Sequence, residues 1–453
     1  MSEKTTLVVC QHGLWGVKSH MGFIEKQITE VMDSKSISVL NVACNESKYT
    51  YDGVDICGKR LAAEIQDYVK YLADEERKIV TRLILIGYSL GGLMARYAIG
   101  VLGKKGFFDT VEPLLYVTFA TPHLGVRREA NTKFGKVYNF VTGHMLSRTG
   151  EQLQLLDSHE NGRPILSILA DPDREFYQYL AKFKTRRTYA NVANDRTVPY
   201  WSAAMDTCNY FKDIKEVELS LDSEYSSVIT AFDARHPDKE RHKNKKRRIK
   251  TGSVIRLVLL LFSPILVPIF GILAFTYIGT QGLASRYRVA RLLASDKSGK
   301  EMLQYDEECG HSYSDDTLTH DKNNNNKRHH HHHNDHEEDP ILVDTLDAGE
   351  TIPNEANADK APQTTQQQRD TKDHRSLYNI EPSKALKTKH SAMHLAKEQF
   401  EIQMNMLQLE WERVLIYIDA MNAHASIVCR ANRFVNSGGQ AVVRQFVDSL
   451  ILD

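Results

Sequence analysis

The 453-residue sequence predicts an α/β fold, a mostly parallel sheet with helices packed on it, interrupted by a long insert. Three observations predict it. Short apolar runs alternate with helix-period segments from Leu7 to about Arg235, the pattern of βαβ units. One such run, "LILIG", passes through a glycine-flanked serine into an apolar-faced helix. A last strand and helix return only after residues 236–390, whose composition suits no sheet.

Taken in order, "LVVC" is the first strand. Met21, Ile24, Ile28 and Val31 recur at three- and four-residue spacing, as do Leu61, Ile65, Tyr68 and Leu72, so each set predicts a helix with one apolar face. "SISVLNVA" is a strand between them. "RLILIG" and "PLLYVTFATP" supply two more, separated by a helix carrying Leu93, Met94, Tyr97 and Ala98. In residues 131–185, Phe134, Val137, Phe140 and Val141 predict apolar helix faces over the sheet ends, either a lid or ordinary core cover. After residue 391, Met393, Phe400, Met404, Leu407 and Trp411 keep helical spacing, "RVLIYID" is a strand, and Val442, Phe446, Val447 and Leu450 mark the final helix.

The insert has two parts. "KERHKNKKRRIK" (239–250) holds eight Lys or Arg and one acid, and Leu257 to Ser285 then runs without any charge. That run exceeds the ~20 residues that span a bilayer. Pro264, Pro268 and Gly271 in its middle, and basic residues on both sides, predict a kinked hairpin on a cytosol-facing lipid surface rather than one simple span. Residues 236–295 are therefore expected to associate with a membrane or lipid droplet. Residues 296–390, with "NNNN", five consecutive histidines (His329 to His333) and "TTQQQ", are expected to be a disordered linker.

Composition narrows the function. The 58 basic and 58 acidic residues cancel, which gives no global basis for binding nucleic acid. The six cysteines (Cys10, Cys44, Cys57, Cys208, Cys309, Cys429) have neither CxxC nor metal-ligand spacing and are read as reduced thiols, and the histidine run lacks mixed, spaced ligands. No cofactor or metal is expected. The N-terminus lacks the pattern of a signal peptide, so the catalytic part is expected in the cytosol.

The chemistry starts at Ser89 in Gly87-Tyr88-Ser89-Leu90-Gly91. A strand-to-helix turn of this kind exposes a serine hydroxyl above the sheet and aims the new helix's amides at it, and glycines let the backbone make the turn. A serine needs a base to take its proton and donors for the resulting oxyanion. "QHGLWG" follows the first strand, so the Leu14 amide, with that of Leu90, is the expected oxyanion hole, while His12 and Gly13 shape the loop. Asp195, where "RRTYANVAND" leaves its strand, is the expected acid; Asp171 and Asp173 are the alternatives. Fourteen histidines follow Asp195, and His424 alone lies between the last strand and the last helix, away from the basic run, the polar tract and the helix to which His394 is assigned. Asp419 reads as a turn residue. Ser89, Asp195 and His424 are then nucleophile, acid and base.

Together, "HGLWG", "YDGVDICGKRL", "GYSLGG", "FATPHLG", "NDRTVPYW" and "AHASIVCR" resemble the fungal serine esterase and lipase family of the α/β-hydrolase superfamily, and the insert resembles that of its droplet-associated phospholipases. The resemblance implies a phospholipase A/B-type enzyme with broad head-group tolerance on the cytosolic face of lipid droplets, or at the endoplasmic reticulum membrane, with the same three catalytic residues. A triacylglycerol lipase, an acyl-protein thioesterase and a membrane-anchored, non-catalytic scaffold are the other readings.

Overall fold

The computed structural model describes residues 2–33, 35–128, 133–235, 253–297, 363–367, 374–390 and 392–452. The apolar runs form strands β1 (Glu3–Gln11), β2 (Ile37–Asn41), β3 (Lys78–Tyr88), β4 (Glu112–Phe119) and β5 (Thr185–Asn191). With β9 (Glu412–Ile416) they build one sheet, parallel throughout, in the order β2-β1-β3-β4-β5-β9. Alternation along each strand serves two cores at once. Leu7, Val9, Leu83 and Leu85 face one layer, and Val8, Cys10, Ile84 and Ile86 the other. A strand buried on both faces needs a continuous apolar run, which "LILI" is.

On the first face lie α2 (Val54–Asp74) and α3 (Leu90–Lys104), seated through Val54, Leu61, Leu93 and Met94. On the second lies α1 (Gly22–Val31) through Ile24 and Ile28. Each such fully buried side chain stabilises the fold by about 1.5–3 kcal/mol. Strand order reverses between β1 and β3, because the chain leaves β1 toward β2 on one side and β3 toward β4 on the other. The loops after these two strands therefore open a crevice at the carboxyl edge, where ligands bind in open parallel sheets.

After β4 come α4 (Lys133–Met145), α5 (Ser147–Leu153), α6 (Ile165–Leu169) and α7 (Glu175–Ala181), and after β5 comes α8 (Tyr200–Ala203). Of the two readings of α4, a lid or ordinary core cover, Val137 and Phe140 do not fit core cover: they are 62% and 63% exposed. Polar anchors set the rotation of α4, since the Tyr138 hydroxyl donates to the Thr197 carbonyl and Asn139 exchanges hydrogen bonds with the Arg128 backbone. A second, small sheet pairs β6 (Val217–Asp222) with β7 (Ile229–Ala234) antiparallel and β8 (Gln363–Gln367) parallel.

The insert differs from expectation in two ways. Ser253–Lys297 is one continuous helix, α9, of 45 residues and not a hairpin. At 1.5 Å per residue it is about 67 Å long. A proline removes one amide and bends a helix without reversing it, and "SPILVP" offers no polar turn at which the chain could double back. The basic run 239–250 and the histidine run lie outside the described residues, as do the side chains of α9 before Ile269. Among the described residues no helix is long and apolar enough to cross a membrane.

The polar tract also ends earlier than its composition suggests. Residues 374–390 are ordered, with α10 (Lys384–Lys389), and Leu377 and Leu386 are fully buried. Two isolated leucines hold this stretch, too few to stand out in an average over a polar window. In α11 (Lys397–Met406) the expected face is inverted. Phe400, Met404 and Leu407 are exposed, while Gln399 and Gln403 are buried and donate to the carbonyls of Leu124, Arg127 and Met205. His394 lies just before this helix, not in it. The chain ends with α12 (Ala423–Ser426), after β9, and α13 (Ser437–Leu452), whose Val442, Val443 and Phe446 close the second core.

Candidate active site

Ser89 sits between β3 and α3 with φ 54° and ψ −127°, a left-handed conformation costly for any residue bearing a Cβ. The neighbours impose it. The Ser89 amide donates to the Phe119 carbonyl at 2.8 Å, and the Thr121 hydroxyl donates to the Ser89 carbonyl at 2.9 Å. A Cβ on Gly87 would lie 2.4 Å from Gly92 Cα, so strand and helix cross too closely for a side chain. The loop after β1 arrives at the same point: a Cβ on Gly13 would be 2.6 Å from Ser89 Cβ and 3.1 Å from its Oγ. Leu14 follows Gly13, and Leu90 opens α3, so both expected oxyanion amides belong to segments touching the serine.

His424 occupies α12, capped by Asn422 Oδ1, which accepts from the Ala425 amide at 3.0 Å. Its Nε2 lies 3.0 Å from Ser89 Oγ and its Nδ1 2.9 Å from Asp195 Oδ2. The three residues assigned from sequence are thus brought into one chain of hydrogen bonds across 335 residues. Ionised Asp195 can only accept, so Nδ1 donates to it and Nε2 is left to accept the serine proton. The Asp195 side chain is 3% exposed and that of His424 8%.

Asp195 is held from every side. Its Oδ1 accepts from the Thr197 and Val198 amides at 3.0 and 2.8 Å, and its Oδ2 from Asn191 Nδ2 at 3.0 Å. Burial pushes its carboxyl up, but the neighbouring His424 and these hydrogen bonds outweigh burial and hold it below the ordinary carboxylate range. Asp171, one alternative, is bound to Arg163 at 2.5 Å and accepts from the backbone amide of Asp173, the other alternative, at 3.0 Å, so it serves the turn and not the relay. Asp419 is exposed and takes no part in the relay.

His12 is fully buried beside the nucleophile but bonds to the Gly13 carbonyl through Nδ1, 3.1 Å away. Burial lowers it to about 4, the Gly13 bond opposing, so it stays neutral at physiological pH and shapes the loop. Burial also pushes the Cys10 thiol up, which leaves it unreactive. Among the described residues the cysteines are free.

Several supporting residues carry no signal in the sequence. The Tyr88 hydroxyl donates to the His424 carbonyl at 2.9 Å, and its ring lies 5.2 Å from the imidazole. Asn194 ties the acid loop to β9's end by donating to the Ile418 carbonyl, and its own carbonyl accepts from the Ala423 amide. Tyr88 is the variable position of its motif, and the asparagines read as ordinary turn formers. Only the meeting of β3, β5 and β9 edges reveals their roles.

Comparison with known proteins fits this geometry. Residues 1–209 match the family described as Putative serine esterase (DUF676). Putative lipase C4A8.10 of Schizosaccharomyces pombe is 30% identical over 226 residues, 48% of this chain and 28% of that protein. Putative lipase ROG1 of Saccharomyces cerevisiae is 30% identical over 234 residues, 50% of this chain and 32% of that one. The chain thus spans less than a third of the length of these curated relatives. Among solved structures, the peroxisomal alpha-beta-hydrolase Lpx1 from Saccharomyces cerevisiae aligns with a TM-score of 0.28 at 10% identity, over 44% of this chain and 66% of that one. The matched family segment contains Ser89 and Asp195 but ends long before His424, which the fold alone delivers. Residues 1–209 are thus similar to this serine esterase family, and in the fold they carry five strands of the parallel sheet and the strand–serine–helix turn at Ser89.

Proposed function

We propose that the protein hydrolyses carboxylic acyl esters by a serine mechanism, with glycerophospholipids at a lipid droplet surface as substrates. The observation that carries the reaction class is the unbroken relay Ser89–His424–Asp195 at 3.0 and 2.9 Å. Ser89 Oγ attacks the ester carbonyl as His424 Nε2 takes its proton. The tetrahedral oxyanion is held by the amides of Leu14 and Leu90. The alcohol leaves with the proton from His424, and water deacylates the serine by the same steps in reverse order.

A lipid surface as the place of action is supported by the basic run 239–250, the uncharged run 257–285, and apolar side chains left in solvent on α4 and α9: Val137, Phe140, Ile272 and Leu273. Apolar burial together with basic attraction to anionic head groups is how peripheral proteins hold to membranes. The two relatives described above are named lipases, which favours a neutral glyceride as the second substrate class.

The test is purified protein mixed with phospholipid vesicles, triacylglycerol emulsion and an acyl thioester, with products identified by mass spectrometry and Ser89→Ala as control. Release of lysophospholipid by wild type and not by Ser89→Ala supports the proposal. Activity retained in Ser89→Ala overturns the mechanism, and hydrolysis confined to triacylglycerol or thioester overturns the substrate.

A further inference from the structure

The loop that carries the expected oxyanion amide is closed by the Gly16 amide, which donates to the Gly13 carbonyl at 3.0 Å, and is braced further from outside. Trp15, beside Leu14, has φ 54°, and its amide donates to Thr50 Oγ1 at 3.0 Å. The Gly16 carbonyl accepts from the Ser47 amide at 2.8 Å, and the Trp15 and Tyr51 rings lie 6.3 Å apart. The two-turn 3-10 segment Ser47–Asp52 is therefore the mould against which residues 13–16 are pressed.

That mould is clamped from its other side by α9. The Asp52 side chain is 0% exposed. Its Oδ1 accepts from Ser285 Oγ at 2.7 Å and Arg288 Nη2 at 2.5 Å, and its Oδ2 from Arg60 Nη2 at 2.7 Å and Arg288 Nε at 3.0 Å. Arg288 also donates to the Lys48 carbonyl at 3.1 Å, and both guanidinium groups lie about 5 Å from the Tyr49 ring, at 5.2 and 5.0 Å. From α5, the Ser147 hydroxyl donates to the Gly282 carbonyl and the Thr149 hydroxyl to the Thr50 carbonyl. Bidentate arginine pairing fixes orientation as well as distance, and a buried carboxylate stripped of one such partner is strongly destabilised where it stands.

We propose that Asp52 is a positioning residue for the oxyanion loop, and that α9 must be seated on it through Ser285 and Arg288 for the loop to keep its shape. The helix continuing the uncharged run is then part of what positions the oxyanion loop: its segment Gly282–Val289 belongs to the hydrolase body through the buried Ser285 and Val289 and the clamp of Arg288. The inference rests on the serine-hydrolase reading and sharpens it by naming what keeps the oxyanion hole in register.

The experiment uses the full chain and a short, water-soluble p-nitrophenyl ester, so that surface binding plays no part. Removing an oxyanion donor costs about 10²–10³ in kcat, and loosening one without removing it is expected to cost Asp52→Asn and Arg288→Ala roughly 10- to 100-fold, with KM changed less than about threefold. Fluorophosphonate labelling of Ser89 should slow in parallel, and Arg288→Lys, which keeps one donor on Asp52, should recover part of the rate. Thermal melts identify any variant that fails to fold, and Ser285→Ala, which removes a single hydrogen bond, serves where it does. Folded variants with wild-type kcat overturn the proposal while leaving the hydrolase reading intact. A wild-type protein inert to both ester and fluorophosphonate overturns the hydrolase reading itself, and this inference with it.

Discussion

Replacing Gly91 by alanine tests the active-site geometry most directly, because the added methyl group meets backbone and not a movable side chain. A Cβ at Gly91 would stand 2.4 Å from the carbonyl oxygens of both Gln11 and His12. Ordinary contact begins near 3.4 Å, so the β1 end and the oxyanion loop must retreat from α3 by about 1 Å. Oxyanion donors work at about 2.7–3.1 Å, so a retreat of this size takes the Leu14 amide out of range while Ser89, His424 and Asp195 stay together. The expected loss is about 10²–10³ in kcat, equivalent to some 3–4 kcal/mol of transition-state stabilisation. Overpacking of this kind destabilises a fold by about 1–3 kcal/mol, so a folded population survives for assay. Steady-state turnover of a soluble ester, with melting temperature measured on the same sample, separates the two effects. A folded Gly91→Ala protein with wild-type kcat would refute the placement of the oxyanion hole between the β1 loop and the start of α3.

Three further outcomes follow from the same geometry. Asp195→Asn can donate where the carboxylate accepted from His424, which favours the wrong imidazole tautomer; kcat should fall by about 10³–10⁴ while the melting temperature changes little. His12 titrates near 4 in the fold and near 6.5 when unfolded, so its contribution is full above pH 6.5 and is lost as pH falls toward 4. Between those values the unfolded chain takes up the proton that the native state refuses, a loss of about 3 kcal/mol, and denaturant melts of wild type and His12→Asn across this range should diverge accordingly. Val137→Asp and Phe140→Asp lie on the exposed face of α4 and should weaken vesicle flotation about tenfold each, since burying such a side chain is worth roughly 1.5–3 kcal/mol, with soluble-ester turnover unchanged. Undiminished flotation would remove α4 from the lipid-contacting surface.

The sheet was legible because its signal is local. A run such as "LILI" is apolar at every position since both faces of a parallel strand are buried, and the serine turn declares itself by glycines on either side. The helices whose apolar spacing reaches the exposed face share one property: polar groups take part of the inward face, which in α11 they share with the fully buried Ile402 and Met406. In α11, Gln399 and Gln403 turn inward because the carbonyls of Leu124, Arg127 and Met205 need donors, and Phe400 and Met404 are turned out. In α4, Tyr138 and Asn139 do the same to Val137 and Phe140. Spacing reports that a helix has an apolar face, and says nothing of buried carbonyls on distant segments that compete for the other one.

By itself, the sequence determined neither the second sheet nor the single helix α9. It determined the strands of the main sheet and the helices beside them, the elbow serine, and the choice of Asp195 and His424 as residues at strand ends. Those depend on hydrophobic period and backbone sterics, which act between near neighbours. The tertiary structure alone decided that these three side chains lie within hydrogen-bond reach, that Tyr88, Asn191 and Asn194 brace them, and that α9 closes on Asp52 through Arg288. Each of these is a pairing of polar groups far apart in the chain, and such pairings depend on distance and orientation, which spacing along the chain does not encode.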